Sequence, residues 1–148
     1  MDAQKKGVRG GSVAQGDYSV NPTRMTMGEG AAMPQDPEAE ASILSAMMVS
    51  ADALQECLID LDPDDFYLPS NRTVFVAMRE MFDKNLPIDT ISLADYLKTT
   101  GELERVGGRS FLLGLGNNSL ALVGWRRHVE MLHRDTTLRK MINAAAQI

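Results

Sequence analysis

Asp36-Pro37-Glu38-Ala39-Glu40-Ala41-Ser42-Ile43-Leu44-Ser45-Ala46-Met47-Met48 is the stretch that decides the fold class. Asp36 is a residue type that caps free backbone N–H groups, and Pro37 suits the first helical position. Glu38 and Glu40 favour the positive end of the helix dipole. Ile43, Leu44, Met47 and Met48 then fall on one face of a helix. The same grammar repeats downstream. Ser50 caps a second helix with Leu54, Cys57, Leu58 and Leu61 inward, broken by Asp62-Pro63-Asp64-Asp65. Ser70 opens a third, with Val74, Phe75, Met78, Met81 and Phe82 in helical spacing, which ends near Asn85 and Pro87. Asp89 caps a fourth carrying Ile91, Leu93, Ala94 and Leu97, and Gly101 stands where a helix C′ glycine belongs.

Gly107-Gly108 precedes a short apolar helix from Ser110 to Leu115, and Gly116-Asn117-Asn118-Ser119 reads as a loop. After Gly124 no Pro or Gly occurs as far as Ile148. This predicts a long helix with Trp125, Val129, Leu132, Leu138, Met141, Ile142, Ala145 and Ile148 as its apolar seam. No stretch alternates as a strand would. The expected fold class is all-α: a compact helical bundle of about six helices with a long C-terminal helix that projects from the body. Upstream, residues 1–33 hold six of the 12 glycines and almost no apolar periodicity. They read as a disordered leader, with Met25, Met27 and Met33 as alternative starts.

The 148 residues suffice for one ordinary domain, and 44% of them are hydrophobic, enough for a core. Aromatics are 5% against ten methionines, so that core is aliphatic and thioether-rich. No run approaches the ~18 apolar residues of a membrane span, and no apolar stretch follows Lys5 and Lys6 as a signal peptide requires. One cysteine excludes an internal disulfide and a cysteine-built zinc site. The expected location is cytoplasmic. The net charge of −5 hides an asymmetry. Residues 34–104 carry fifteen acidic and four basic residues, whereas residues 105–148 carry two acidic and seven basic. Any nucleic acid would meet only the basic end.

The motifs with chemical potential are thin. His128 and His133 lie ~140° apart around a helix and do not share a face as a helical zinc pair would. Asp62, Asp64 and Asp65 surround a proline in a capping and turn composition, without the Glu of a calcium loop. Gly114 to Ser119 lacks the Gly-Lys-Ser/Thr ending of a phosphate loop and follows a helix rather than a strand. Cys57 takes an inward position with no histidine nearby in sequence. Arg126, Arg127, Arg134, Arg139 and Lys140 read as the solvated face of the long helix. A single-strand groove would interleave aromatics, and only Trp125 is there. No catalytic, cofactor-binding or metal-ligating residue is assigned.

From Pro34 to about Ile142 the chain resembles the N-terminal domain of the bacterial replicative DNA helicases, the DnaB family. The resemblance is carried in order by Glu38-Ala39-Glu40 with Ile43-Leu44 and Met47-Met48, by Asp65-Phe66-Tyr67, and by Arg72 with Phe75 and Met78. Pro87-Ile88-Asp89, Leu93-Ala94 and Leu97, Gly101-Glu102-Leu103, and Val106-Gly107-Gly108 with Phe111-Leu112 continue it, and Arg139 with Met141-Ile142 completes it. It departs from the family at Phe111, where Tyr is usual, at Ser119 to Gly124 before the long helix, and at His128.

The resemblance implies a helical head over 34–119 and, over 120–148, the first helix of a truncated helical hairpin. In the family a linker and a RecA-like motor follow, and ATP and Mg belong to that motor. This chain alone is expected to bind no cofactor and to be no enzyme. The implied partners are other copies, as a dimer or hexameric collar, the C-terminal domain of primase, and a helicase loader. DNA is met only through the motor, and no membrane is involved. The resemblance adds primase contact at Phe111, Ile142 and Ile148, while Leu138, Met141 and Ala145 form a seam for self-association or the hairpin partner. The competing reading is a stand-alone, phage- or plasmid-related regulator that binds primase or helicase through the same head.

Overall fold

The computed structural model describes residues 33–118 and 121–147. The leader reading falls, except for Met33, outside the described residues, as does Ile148. Among the described residues seven α-helices and one 3₁₀ turn follow in chain order: α1 (Pro37–Val49), α2 (Ala51–Asp60), the turn Pro63–Asp65, α3 (Pro69–Asp83), α4 (Thr90–Thr99), α5 (Leu103–Val106), α6 (Gly108–Gly116) and α7 (Ala121–Ala146). Among the described residues there is no strand. The all-α expectation holds. The seventh helix is α5, four residues that bury Leu103 and Val106 and are too short to show a period.

α1 is the central element. It buries Ile43, Leu44, Met47 and Met48 as the pattern requires, and also Ala39, Glu40, Ser42, Ser45 and Ala46 around its circumference. A helix apolar or small on every side belongs inside a bundle. α7, α2, α6 and α3 pack around it. Ser45 satisfies its hydroxyl by donating to Ala41 O at 2.9 Å. Phe66 and Phe75, both fully buried, stack with centroids 4.8 Å apart.

Several end signals operate as read. Ser50 Oγ accepts from Ala53 N and Asp89 Oδ1 from Ser92 N. Gly101 takes φ +80° while Glu102 N donates to Leu97 O and Gly101 N to Lys98 O, a complete Schellman close. Asn85 does the same for α3 at φ +60°, with Leu86 N donating to Met81 O. Others differ. Asp36 makes no capping hydrogen bond. α3 starts at Pro69 rather than Ser70, and its N-terminus is served from afar by Glu40. α7 starts at Ala121 and breaks at Gly124, whose ψ of 15° leaves the helical range.

Two expected core residues are not in the core: Phe82 is 39% exposed and Ile91 76% exposed. Ile91 lies ~200° around α4 from Leu93, so burying one turns the other outward. Among the described residues no helix is long and apolar enough to cross a membrane.

Candidate partner-binding surface

α7 has two halves with different tasks. Trp125, Val129 and Leu132 are buried against the head. The inward face then continues in polar residues, Asp135, Thr136 and Arg139, all buried. Thr136 Oγ1 donates to Asp65 Oδ1 at 2.6 Å. Asp65 Oδ2 in turn accepts from Asp62 N at 2.9 Å. Arg139 donates to Pro34 O at 2.8 Å and to Asp64 O at 3.0 Å, so one guanidinium ties the strap before α1 and the 3₁₀ turn to α7. The aspartates around Pro63 therefore serve turn and clamp. Arg139 itself is 9% exposed, which corrects its reading as part of a solvated face.

From Lys140 to Gln147 every residue is exposed. Leu138, Met141, Ile142 and Ala145 follow the i, i+3, i+4, i+7 spacing of one stripe. Leu138, Met141 and Ile142 are 39%, 61% and 45% exposed. At ~100° per residue this stripe points roughly opposite to Leu132 and Thr136. The single continuous seam read from the sequence is thus two apolar faces: one ends at Leu132, and the other begins at Leu138 and looks away from the head. Phe111 stands on α6, half-buried against the core, where a Cβ on Gly107 would lie 2.9 Å from its own. α6 packs mainly on α1, α4 and α5, so the fold does not bring Phe111 into the α7 stripe. Ile148 lies outside the described residues.

Three residues of the basic end are engaged with neighbours, Arg139 through the carbonyls above and two arginines through carboxylates. Arg126 pairs with Glu56 at 2.7 Å and lies over the Trp125 ring. Arg134 reaches Asp36 at 3.1 Å and Asp135 at 3.3 Å through the same nitrogen. Asp135 Oδ2 is buried without a hydrogen-bond partner among the described residues. Burial, and then the neighbouring Asp36 carboxyl, push the Asp135 carboxyl above its ordinary range. Asp36, expected as a cap, is instead one half of this carboxyl pair.

His133 Nε2 sits 2.8 Å from Asp60 O at the end of α2, and His128 packs beside Gly124, so the two do not converge. Among the described residues no group of His, Cys, Asp and Glu is arranged to hold a metal ion. Cys57 is fully buried, and burial pushes its thiol up to about 12.

Sequence reasoning missed the role of Glu40. It is 1% exposed, and its carboxylate accepts from Tyr67 N at 2.7 Å, Leu68 N at 3.3 Å and Asn71 Nδ2 at 2.9 Å. A charge buried at full hydrogen-bonding strength across 27 residues leaves no local signature. An acidic residue among Ala39, Ile43 and Leu44 was the available hint.

The fold defines a helical head whose buried polar groups Glu40, Asp65, Thr136 and Arg139 tie distant segments together. The chain belongs to the DnaB-like helicase N-terminal domain family, whose model matches residues 32–134. It is 31% identical over 115 residues to the replicative DNA helicase DnaC of Bacillus subtilis, and 29% identical over 115 residues to the replicative DNA helicase DnaB of Mycobacterium leprae. Each match takes in 78% of this chain but only 25% and 19% of those relatives. The crystal structure of the N-terminal domain of DnaB helicase from Mycobacterium tuberculosis superimposes with a TM-score of 0.74 at 29% identity, covering 78% of this chain and 84% of that one. The exposed stripe from Leu138 onward lies past the residues the family model matches.

Proposed function

We propose that this chain is the interaction and assembly module of a replicative DNA helicase. In this reading residues 34–119 form the head and residues 120–148 the first helix of a hairpin. Copies associate into a dimer or collar, and the module docks the C-terminal domain of primase; a helicase loader is a further partner. ATP, Mg and strand separation belong to a motor that these residues do not include.

The observation that carries the reading is the outward apolar stripe of Leu138, Met141, Ile142 and Ala145 on a helix whose root is clamped by Thr136 and Arg139. Exposed aliphatics at helical spacing gain free energy when a partner covers them. Leu138, Met141 and Ala145 are assigned to self-association. Phe111, Ile142 and Ile148 are assigned to primase.

Calorimetry with the primase C-terminal domain tests this on Ile142→Ser and Phe111→Ala, with circular dichroism confirming the fold. A lost apolar anchor costs on the order of 1–3 kcal/mol, so affinity should fall tenfold or more. Wild-type affinity in both variants would remove these residues from the contact.

A further inference from the structure

α1 is entered through the strap Pro34 to Asp36, and three side chains of α7 reach it. Arg139 donates to Pro34 O at 2.8 Å. Arg134 Nη2 stands 3.1 Å from Asp36 Oδ2 and 3.3 Å from Asp135 Oδ1, so one nitrogen bridges two carboxyls. Asp135 is 4% exposed, and its second oxygen, Oδ2, is buried with no donor among the described residues. The Asp36 carboxyl lies within hydrogen-bonding reach of Asp135. Two ionised carboxylates offer each other only acceptors, whereas a single proton turns the same contact into a strong O–H···O hydrogen bond.

The other charged groups of the elements packed around Asp135 are committed elsewhere or exposed. On α1, Glu40 is taken by Tyr67, Leu68 and Asn71, and Glu38 is exposed. On the 3₁₀ turn, Asp65 accepts from Thr136, and Asp64 is exposed and meets Arg139 through its carbonyl. Asp62, just before it, faces Arg79. On α2, Glu56 holds Arg126 and Asp60 is exposed. Burial first, then Asp36, disfavour the ionised form of Asp135, and Arg134, which favours it, does not offset them.

We propose that Asp36 and Asp135 form a proton-operated latch, in which one proton shared between the two carboxyls fastens the strap to α7 and its loss to water lets the strap loosen. The latch is fastened while Asp135 is protonated. It weakens as pH rises from the ordinary carboxylate range through the value of the closed pair. It is internal to the head and independent of what the α7 stripe docks. Glu40 N reports on it, because it donates to Asp36 O at 3.0 Å and closes the first turn of α1.

The test is native-state amide exchange of the full chain at Glu40, corrected for the intrinsic pH dependence of exchange, alongside 13C titration of the Asp135 carboxyl from about pH 3 to about pH 8. Glu40 protection should fall about tenfold for each pH unit by which Asp135 titrates above its ordinary value. Exchange at Glu40 should be insensitive to low urea, as a local opening is, whereas exchange at Phe75 in the core should accelerate. Asp36→Asn gives Asp135 an amide donor, so the Asp135 titration should move down and the fall in Glu40 protection should shrink. Asp135→Asn should keep Glu40 protected across the whole range. Glu40 protection that stays level while Asp135 titrates, an Asp135 titration unmoved by Asp36→Asn, or Glu40 exchange as urea-sensitive as that of Phe75 would each overturn the proposal.

Discussion

Glu40 and Asp135 are both buried carboxylates, and their surroundings give them opposite effects on stability. Glu40 accepts three hydrogen bonds. Removing it strands the Tyr67 and Leu68 amides and the Asn71 side chain, so Glu40→Ala should cost about 3 kcal/mol in urea unfolding. Asp135 has a carboxyl raised by burial and by Asp36. For an acid held above its unfolded value, stability is highest when it is protonated. Stability is then lost as pH rises from the ordinary carboxylate range through the folded-state value. Asp135→Asn keeps an acceptor for Arg134 and supplies a donor toward Asp36. It should melt at a higher temperature than the parent at pH 7, and the gap should close as the buffer becomes acidic. An equal gap at all pH values would show that charge is not the cause. Cys57, with its thiol pushed up to about 12, should resist alkylation at pH 8 in the folded chain and react after denaturation. Of these roles only the inward position of Cys57 could be read from the sequence. Glu40 and Asp135 act through contacts with distant stretches, which a local pattern does not contain.

At the scale of the helix, starts and stops were legible wherever one residue does the work locally. Ser50, Asp89 and Gly101 act within three or four positions of themselves. Asp36 has the same chemistry but is drawn off by Arg134, a residue on another helix. Phe82 and Ile91 were misplaced because helical spacing places apolar residues on a face without showing where that face ends. α7 shows the same limit: Leu132 and Leu138 look like one seam but belong to opposite sides. Thr136 anchors the inner side, so Thr136→Val should leave Asp65 Oδ1 without its donor and lower stability by about 1–2 kcal/mol, measured in urea. Ile142→Ser, on the outer side, should leave the melting temperature unchanged. That contrast separates the clamp from the docking stripe.

Across the whole molecule the charge split read from the sequence is real, but its consequence differs. Arg126 and Arg134 pair with carboxylates of the acidic head, and Arg139 is buried on its carbonyls. Duplex DNA should therefore show no measurable binding by anisotropy at physiological salt. The all-α class and the family were legible because they rest on many ordered fragments. Mechanically, α7 is a cantilever. Its root is bolted at Thr136 and Arg139 to the 3₁₀ turn and to the strap at Pro34, and its free arm from Lys140 to Gln147 is ~12 Å long. A load applied to that arm produces a torque at two bolts, and one of them grips the chain just before the central helix. Tension on the segment preceding Pro34 and leverage on the α7 arm therefore meet at the same guanidinium.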